Sequence, residues 1–490
     1  MLRIFFIFLT FASSIFAHAE HLEQWLSGQF PHEEGVAIGV VSQGELIWSY
    51  PHGFADQERS VPATERTIFR IASLTKVFSA IAILQLAEQG LLRLDDPVEK
   101  HLVWFCMHSY TKNQSMTIRD LLTHSSGLER EPYFSYGKVV GYPDKSELQK
   151  HLPKESIHFK PGEALLYSNL GYVILGWIVE KASGMPFEKY LQQKVIGPLQ
   201  MGSTFCKAPA QMGRGFAWGY KKGVAEPNCH ISTKGMTSAF GLYSNLLDLT
   251  KLLAMLQNKG KNVLKKESIC KMVEPQFTRK NISWSIGLCH YCKEGKCLLV
   301  HSGNLEGFVS FLALDHEEEL GVILLANDES VKAGAIGLTV LEYFTAVPPS
   351  ERDRAKITPF RRLAPSVKAR QQGRGGSRRG SGSRRGRRRG RKARPDASSS
   401  SKSTSDDPDA PQNSHTYKDY GKKQDAHRGR GGGKPPSNGE LAKEKEDQKR
   451  LEEDLAAKQA LLPETPRLSG RQHREEVARE LARRKDPAAD

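Results

Sequence analysis

After Pro348-Pro349 the chain loses the means to bury a core, and that break confines any compact fold to the residues before it. Gly373–Arg394 is a Gly/Ser/Arg run built on repeated Arg-Arg-Gly, Ser398–Ser405 is rich in serine, and Gly431–Pro436 is rich in glycine and proline. Such sequence offers too little apolar area to offset the entropy of ordering it. The stretches at 439–460 and 471–485 alternate Glu with Lys or Arg, a pattern that predicts single charged helices with little apolar face. Charge follows the same break. The chain carries +16 overall, and Pro365 to Asp490 alone hold 32 Lys and Arg against 19 Asp and Glu. The choice of cation changes too: about 25 Lys and 9 Arg stand before residue 349, and about 13 Lys and 24 Arg after it. The predicted organisation is a signal segment over 1–19, one domain over 20–348, and a disordered basic tail over 349–490.

The N-terminus has the pattern of an export signal. Arg3 supplies the positive end, and Ile4 to Phe16 is apolar but short for a bilayer span. Ala17-His18-Ala19 then offers a small-x-small cleavage pattern. The expected location is secreted or periplasmic, with no integral membrane segment once the signal is removed.

Within 20–348 the periodicities are mixed. Val36–Val41, a turn at Ser42-Gln43-Gly44, and Leu46–Trp48 predict a hairpin. Val77, Ile81, Leu84 and Ala87 share a helical stripe that begins just after Ser73 and is closed by Gly90. A second apolar helix is predicted over 169–183. Late strands are predicted at Leu298–His301, Phe308–Leu314 and Gly321–Ala326, with a last helix near 329–345. Strands at both ends with helices between them predict an α+β fold, its antiparallel sheet assembled from N- and C-terminal strands and flanked by helices, with a helical subdomain.

One constellation carries chemistry. In Ser73-Leu74-Thr75-Lys76, a serine at a helix start and a lysine three residues on share a face. A serine hydroxyl attacks poorly until a base takes its proton, and a lysine can do so only where its surroundings favour the neutral amine. Ser-x-x-Lys alone is weak, since it recurs at Ser109/Lys112, Ser135/Lys138 and Ser268/Lys271, and a serine at a helix start is commonly only a cap. Two further tripeptides single out Ser73. Tyr167-Ser168-Asn169 supplies a phenol that a neighbouring cation could help ionise, and an amide able to orient a substrate amide. His301-Ser302-Gly303 supplies polar groups and a glycine that permits close backbone approach.

These motifs, with Phe69-Arg70-Ile71-Ala72 before Ser73, Leu121–Leu128, Pro161-Gly162-Glu163, Pro198–Met201 and Ala239–Ser244, closely resemble the β-lactamase-related serine hydrolases. That family includes class C β-lactamases, D-alanyl-D-alanine carboxypeptidases and related esterases. The resemblance covers residues 20–348 and implies a β-lactamase/transpeptidase-like fold. It makes Ser73 the acylated nucleophile, with Lys76 and Tyr167 sharing proton transfer. It makes Asn169, His301, Ser302, Gly303 and Asn304 substrate-binding residues, and it places an oxyanion hole at the backbone N–H groups of Ser73 and Asn304. The implied substrates are acyl-D-amino-acid peptides, β-lactams or esters, and neither cofactor nor metal is implied. His301 stands where class C β-lactamases carry lysine, which points toward a D-alanyl-D-alanine carboxypeptidase, another peptidase or an esterase rather than an efficient β-lactamase; a non-catalytic penicillin-sensing or binding module that keeps the fold is the alternative, which the joint presence of Ser73, Lys76 and Tyr167 argues against. With an ordinary pKa of about 6.5, His301 is expected to gain charge, and with it affinity for a substrate carboxylate, on the acid side. Phe240 replaces a glycine of the family loop and is expected to narrow the site.

Of the seven cysteines, Cys289, Cys292 and Cys297 flank a turn-like Lys293–Lys296. The spacing fits a cross-hairpin disulfide or reduced thiols better than zinc. For the tail, binding to anionic wall or lipid polymers is the expectation in an exported chain, and nucleic acid the weaker one.

Overall fold

The computed structural model describes residues 21–347, apart from 106–114, 133–140, 153–156, 209–212, 214, 258–259, 261, 280–281 and 294, together with Arg352. The signal segment, Cys106, the pairs Ser109/Lys112 and Ser135/Lys138, and the tail beyond Arg352 lie outside the described residues.

An eight-stranded antiparallel sheet organises the domain. Its strands are β1 (Val36–Ser42), β2 (Glu45–His52), β3 (Phe277–Arg279), β4 (Ile282–Trp284), β5 (Cys289–Lys293), β6 (Lys296–Leu305), β7 (Phe308–Asp315) and β8 (Leu320–Ala326). They lie in the order β2-β1-β8-β7-β6-β5-β4-β3. The N-terminal hairpin joins the sheet through β1 and β8, in the register Val36↔Ala326 to Ser42↔Leu320. The expected assembly from both ends of the chain is thus the observed one. Strands β1, β7 and β8 are buried along their whole length. They read as continuous apolar runs because both faces of the sheet are covered. On one face lies α4 (Ala333–Thr345), with Ile336, Val340 and Phe344 against Trp48, Val322 and Leu324. On the other lie α1 (Thr75–Glu88) and α3 (Leu246–Gln257), within a larger core that also takes in α2 (Asn169–Ser183).

The stripe predicted for α1 understates its burial. The helix is enclosed on every side, and Thr75, Lys76 and Ser79 are as buried as Val77 and Ile81. A helix covered all round needs polar residues only where a partner awaits them. Each of those three has one: Ala72 O for Thr75, Asn169 Oδ1 and Ala239 O for Lys76, and Ser238 O for Ser79. At the far end Gly90 takes a φ of +73°, as a chain leaving a helix requires. Cys292 and Cys297 face each other across the β5–β6 ladder and form a disulfide. Arg352 is buried, and its guanidinium bonds Thr345 O, Val347 O and Glu318 Oε2. No helix among the described residues is long and apolar enough to cross a membrane.

Candidate active site

Ser73 sits in a 3₁₀ turn, Ala72–Leu74, that runs directly into α1. Its hydroxyl caps neither helix. The residue before it, Ala72, holds a φ of +45°, a conformation costly for a side chain bearing Cβ. Three contacts hold it there. Thr75 Oγ1 donates to Ala72 O at 2.7 Å, Ser310 Oγ donates to Ile71 O at 2.8 Å, and the Ile71 N–H donates to Leu242 O at 3.0 Å. Gly303 completes the seat. A Cβ built there would stand 2.4 Å from Ser310 Oγ and 2.6 Å from Ile71 O. Strand β6 can therefore lie against the turn only with glycine at this position.

Lys76 is fully buried. Its Nζ lies 3.2 Å from Ser73 Oγ, donates to Asn169 Oδ1 at 2.5 Å, and donates to Ala239 O at 2.9 Å. The loop carrying Ala239 is fixed to the same helix, with Ser79 Oγ donating to Ser238 O at 2.6 Å and Leu242 N–H to Thr75 Oγ1 at 3.1 Å. Burial pushes the Lys76 amine well below its ordinary range, against the opposing pull of Glu131. Asn169 Oδ1 and Ala239 O can only accept, so a neutral amine spends its two hydrogens on them. Its lone pair is then left toward the Ser73 hydroxyl.

Tyr167 comes to the site just ahead of α2, whose N-cap is Ser168; Ser168 Oγ accepts from Gly171 N–H at 2.9 Å. The Tyr167 phenol is a neighbour of Ser73, which acts to lower its pKa. The lysine does not meet that hydroxyl, however. Nζ stands 4.8 Å from the ring centroid, over the face. Burial raises the Tyr167 phenol, outweighing Ser73 and Arg130, which act to lower it. The expectation that a lysine cation would ease its ionisation draws no support from this arrangement: burial pushes the phenol up, and the groups that lower it are Ser73 and Arg130.

His301 and Gly303 are buried on one side of β6, and Ser302 and Asn304 alternate with them and are exposed. His301 lies beside Tyr167, with ring centroids 6.3 Å apart, and beside Trp284 at 6.1 Å. Burial, aided by Lys76, pushes its imidazole down to about 3. Charging near the ordinary 6.5 is thus opposed by burial first and by Lys76 second. Its Nδ1 faces Ser302 O at 2.9 Å, so Nδ1 carries the hydrogen and the buried Nε2 is an acceptor. The β5–β6 ladder ends at Cys289↔Val300, whereas β6 pairs with β7 as far as Leu305. From His301 onward one backbone edge of β6 is thus left unpaired by the sheet, and Ser302 and Asn304 lie along it.

Several neighbours carried no signal as individual residues. His124, with a φ of +59°, accepts the Ser168 N–H at Nδ1 (3.1 Å) and stacks on Tyr167 with centroids 4.2 Å apart. It lies inside Leu121–Leu128, yet nothing in that octapeptide says that the ring braces the tyrosine. Arg130 Cζ stands 5.2 Å from the Tyr167 centroid. Glu131 Oε1 accepts from Asn169 Nδ2 at 2.5 Å. Trp284, on β4, packs edge-on to His124 at 4.6 Å. Phe240 is buried against Tyr142. Ser268, of the competing Ser-x-x-Lys pair, lies on a separate helix, Lys266–Val273.

A serine on a strained turn at the foot of a buried helix, a lysine one turn on, a tyrosine ahead of a second helix and a glycine-bearing strand against the turn define the β-lactamase/transpeptidase class of fold. The chain belongs to the beta-lactamase family, whose model matches residues 27–341. It is 29% identical over 310 residues to "Protein flp" of Staphylococcus aureus (strain COL), covering 60% of each chain. It is 30% identical over 177 residues to a penicillin-binding protein of Bacillus subtilis (strain 168), covering 35% of this chain and 38% of that one. The octameric penicillin-binding protein homologue from Pyrococcus abyssi superposes with a TM-score of 0.60 at 28% identity, over 68% of this chain and 79% of that one. The chain thus spans less than two thirds of the length of these two bacterial relatives.

Proposed function

We propose that the protein is an exported serine hydrolase that forms an acyl-enzyme at Ser73 and acts as a penicillin-binding-type peptidase on D-amino-acid peptides or related acyl donors. The carrying observation is the Lys76 amine, 3.2 Å from Ser73 Oγ, with its other two bonds made to groups that only accept. Lys76 takes the Ser73 proton as Oγ bonds to the substrate carbonyl carbon. The neutral Tyr167 hydroxyl gives its proton to the leaving nitrogen or oxygen as its bond to that carbon breaks and is reprotonated with the proton that Lys76 took from Ser73, so that both residues end as they began. Asn169 holds the acyl-side amide. The N–H groups of Ser73 and of Asn304, on the unpaired edge of β6, receive the oxyanion. Water then cleaves the ester by the same route in reverse. An esterase is the second reading, favoured by a neutral His301, which offers no fixed cation to a substrate or β-lactam carboxylate. The N-terminal segment supplies export, and the basic tail binds anionic polymers outside the catalytic domain.

The test is covalent labelling with a fluorophosphonate or a fluorescent penicillin. Ser73→Ala abolishes it, whereas Ser268→Ala leaves it intact. Labelling that survives Ser73→Ala overturns the assignment. Rates on a D-Ala-D-Ala peptide and a short-chain ester then separate peptidase from esterase.

A further inference from the structure

His124 touches three consecutive residues of the segment that carries Tyr167. Its carbonyl oxygen accepts the Leu166 N–H at 2.9 Å, its Nδ1 accepts the Ser168 N–H at 3.1 Å, and its ring stacks on the Tyr167 ring with centroids 4.2 Å apart. The tyrosine is therefore bracketed on both sides along the chain and backed on one face. The imidazole is itself wedged in place. Tyr172 lies 5.2 Å away by centroids, its hydroxyl donating to Leu122 O at 2.9 Å, and Trp284 packs edge-on at 4.6 Å. Two costs come with histidine at this fully buried position. Its φ of +59° is unfavourable for a residue bearing Cβ. With Nδ1 accepting, the hydrogen of the neutral ring sits on Nε2, which is buried and has no hydrogen-bond partner among the described residues. A phenyl ring would stack on Tyr167 and leave no polar atom bare. What the imidazole adds is the acceptor for Ser168. Burial first, and Lys76 second, push its pKa well below the ordinary range, which keeps Nδ1 free to accept.

We propose that His124 is a positioning residue for Tyr167: it fixes the backbone on either side of the tyrosine and the plane of its ring, and so aims the phenol hydroxyl at the leaving atom of the substrate. This rests on the reading of Tyr167 as the proton donor to that atom. His124 itself touches no reacting group in the scheme. A small tilt of the tyrosine ring takes its hydroxyl out of line for proton transfer while Ser73 and Lys76 stay where they are. The consequence depends on the leaving group. An alkoxide or an amine nitrogen needs a proton to depart, whereas a nitrophenolate departs as the anion. Loss of His124 should therefore slow the first kind of substrate and largely spare the second.

The experiment uses the full chain and two esters of one acyl group, the methyl and 4-nitrophenyl esters of N-acetyl-D-alanine, with kcat/KM read for each. His124→Phe keeps the ring and removes the acceptor. His124→Asn removes the ring, and asparagine tolerates the positive φ. Each should lower kcat/KM for the methyl ester by about tenfold or more and change the nitrophenyl ester far less. Tyr167→Phe should show the same selectivity more strongly, and adding His124→Asn to it should cost neither ester anything further. If His124 only held the fold together, both esters would slow alike, and the second substitution would slow them again in the Tyr167→Phe background; either result overturns the proposal. Should both His124 variants fail to fold, the ring ¹⁵N shifts of His124 in the wild-type protein decide. A bare Nδ1 is expected, and a hydrogen on Nδ1 counts against the proposal, since such a ring cannot accept from Ser168. The two readings fail separately. A Tyr167→Phe enzyme that treats the two esters alike sinks the donor role of Tyr167, and this inference with it. Selectivity in Tyr167→Phe without selectivity in the His124 variants sinks this inference only.

Discussion

The Lys76 Nζ stands over the face of the Tyr167 ring, 4.8 Å from its centre, and does not pair with the phenol oxygen. The two residues are therefore not an ion pair in waiting. Burial drives the lysine toward its neutral form and keeps the tyrosine in its protonated form. Under these shifts the proposed mechanism takes the amine as the base and the phenol as a proton-passing donor, both at Ser73.

Acylation should follow the neutral fraction of Lys76. The folded-state pKa is lowered, so the rate should climb with pH and reach its plateau below the ordinary lysine value of 10.5. Lys76→Arg keeps the charge but cannot yield a neutral amine, and should cost about a hundredfold to ten-thousandfold in acylation. Tyr167→Phe should also be severe, and the double variant little worse than either single one, because the pair moves one proton. Stopped-flow labelling of the four proteins checks this; losses that multiply would mean that the residues act independently.

His301 gives a linkage prediction with a definite sign. Its folded-state pKa is about 3 against an unfolded value near 6.5, and His124 is lowered in the same direction by burial and by Lys76. Between those values the unfolded chain takes up protons that the folded one refuses. Stability is therefore full above about 6.5 and is lost as pH falls through that window toward 3. Melting temperature should drop on acidification, and His301→Asn should flatten part of the slope. By the same argument, KM for a carboxylate-bearing peptide should be unchanged from neutral to mildly acid pH. A KM that falls sharply on acidification would show that the imidazole charges in place.

Much of this architecture could be read from residue patterns, and the parts that could not have a common cause. The hairpin, α2, the three late strands and the last helix follow local periodicity, and the register of β1 on β8 follows from two apolar runs that need covering. The positions of Ser73, Lys76, Tyr167 and His301 were legible because their motifs are contiguous. What they do to one another was not. Whether a lysine meets a tyrosine at its edge or its face, and whether a histidine has a counter-charge, depends on packing between segments far apart in the chain. The same holds for Glu131, which lies just past Leu121–Leu128 and becomes part of the site only when α2 brings Asn169 to it. Strands β3 and β4 are three residues each and were missed, since so short a run carries no period.

Gly303→Ala tests the seat of the nucleophile. The added methyl meets Ser310 Oγ and Ile71 O well inside contact distance, and also Ala72 Cβ at 3.0 Å. One partner is backbone on the strained turn itself, so β6 or the turn has to move. The expected cost is about 1–3 kcal/mol in stability, read by denaturant melting. Labelling at Ser73 should slow by more than the unfolded fraction explains. A variant with normal stability and normal labelling would show that the turn tolerates displacement and that its geometry is not critical.

The edge of the folded unit can be tested by cutting the chain on either side of Arg352. That residue lies beyond the boundary at 348 suggested by composition, yet its side chain is only 3% exposed and its guanidinium bonds Thr345 O, Val347 O and Glu318 Oε2. These bonds tie off the end of α4 and fasten it to the β7–β8 turn, where Glu318 sits. Buried, charge-assisted bonds of this kind contribute about 1.5–3 kcal/mol. A chain ending at Pro349 should therefore melt lower than the full chain, with the shift read by calorimetry at equal concentration. A chain ending at Arg354 should recover the full-length melting temperature and the full rate of Ser73 labelling, because no residue assigned to the site lies beyond it. Arg352→Ala in the full chain should reproduce the loss seen with the shorter cut. If the chain ending at Arg354 is as damaged as the one ending at Pro349, residues further along the tail contribute to the fold, and the basic segment is not separable from the hydrolase.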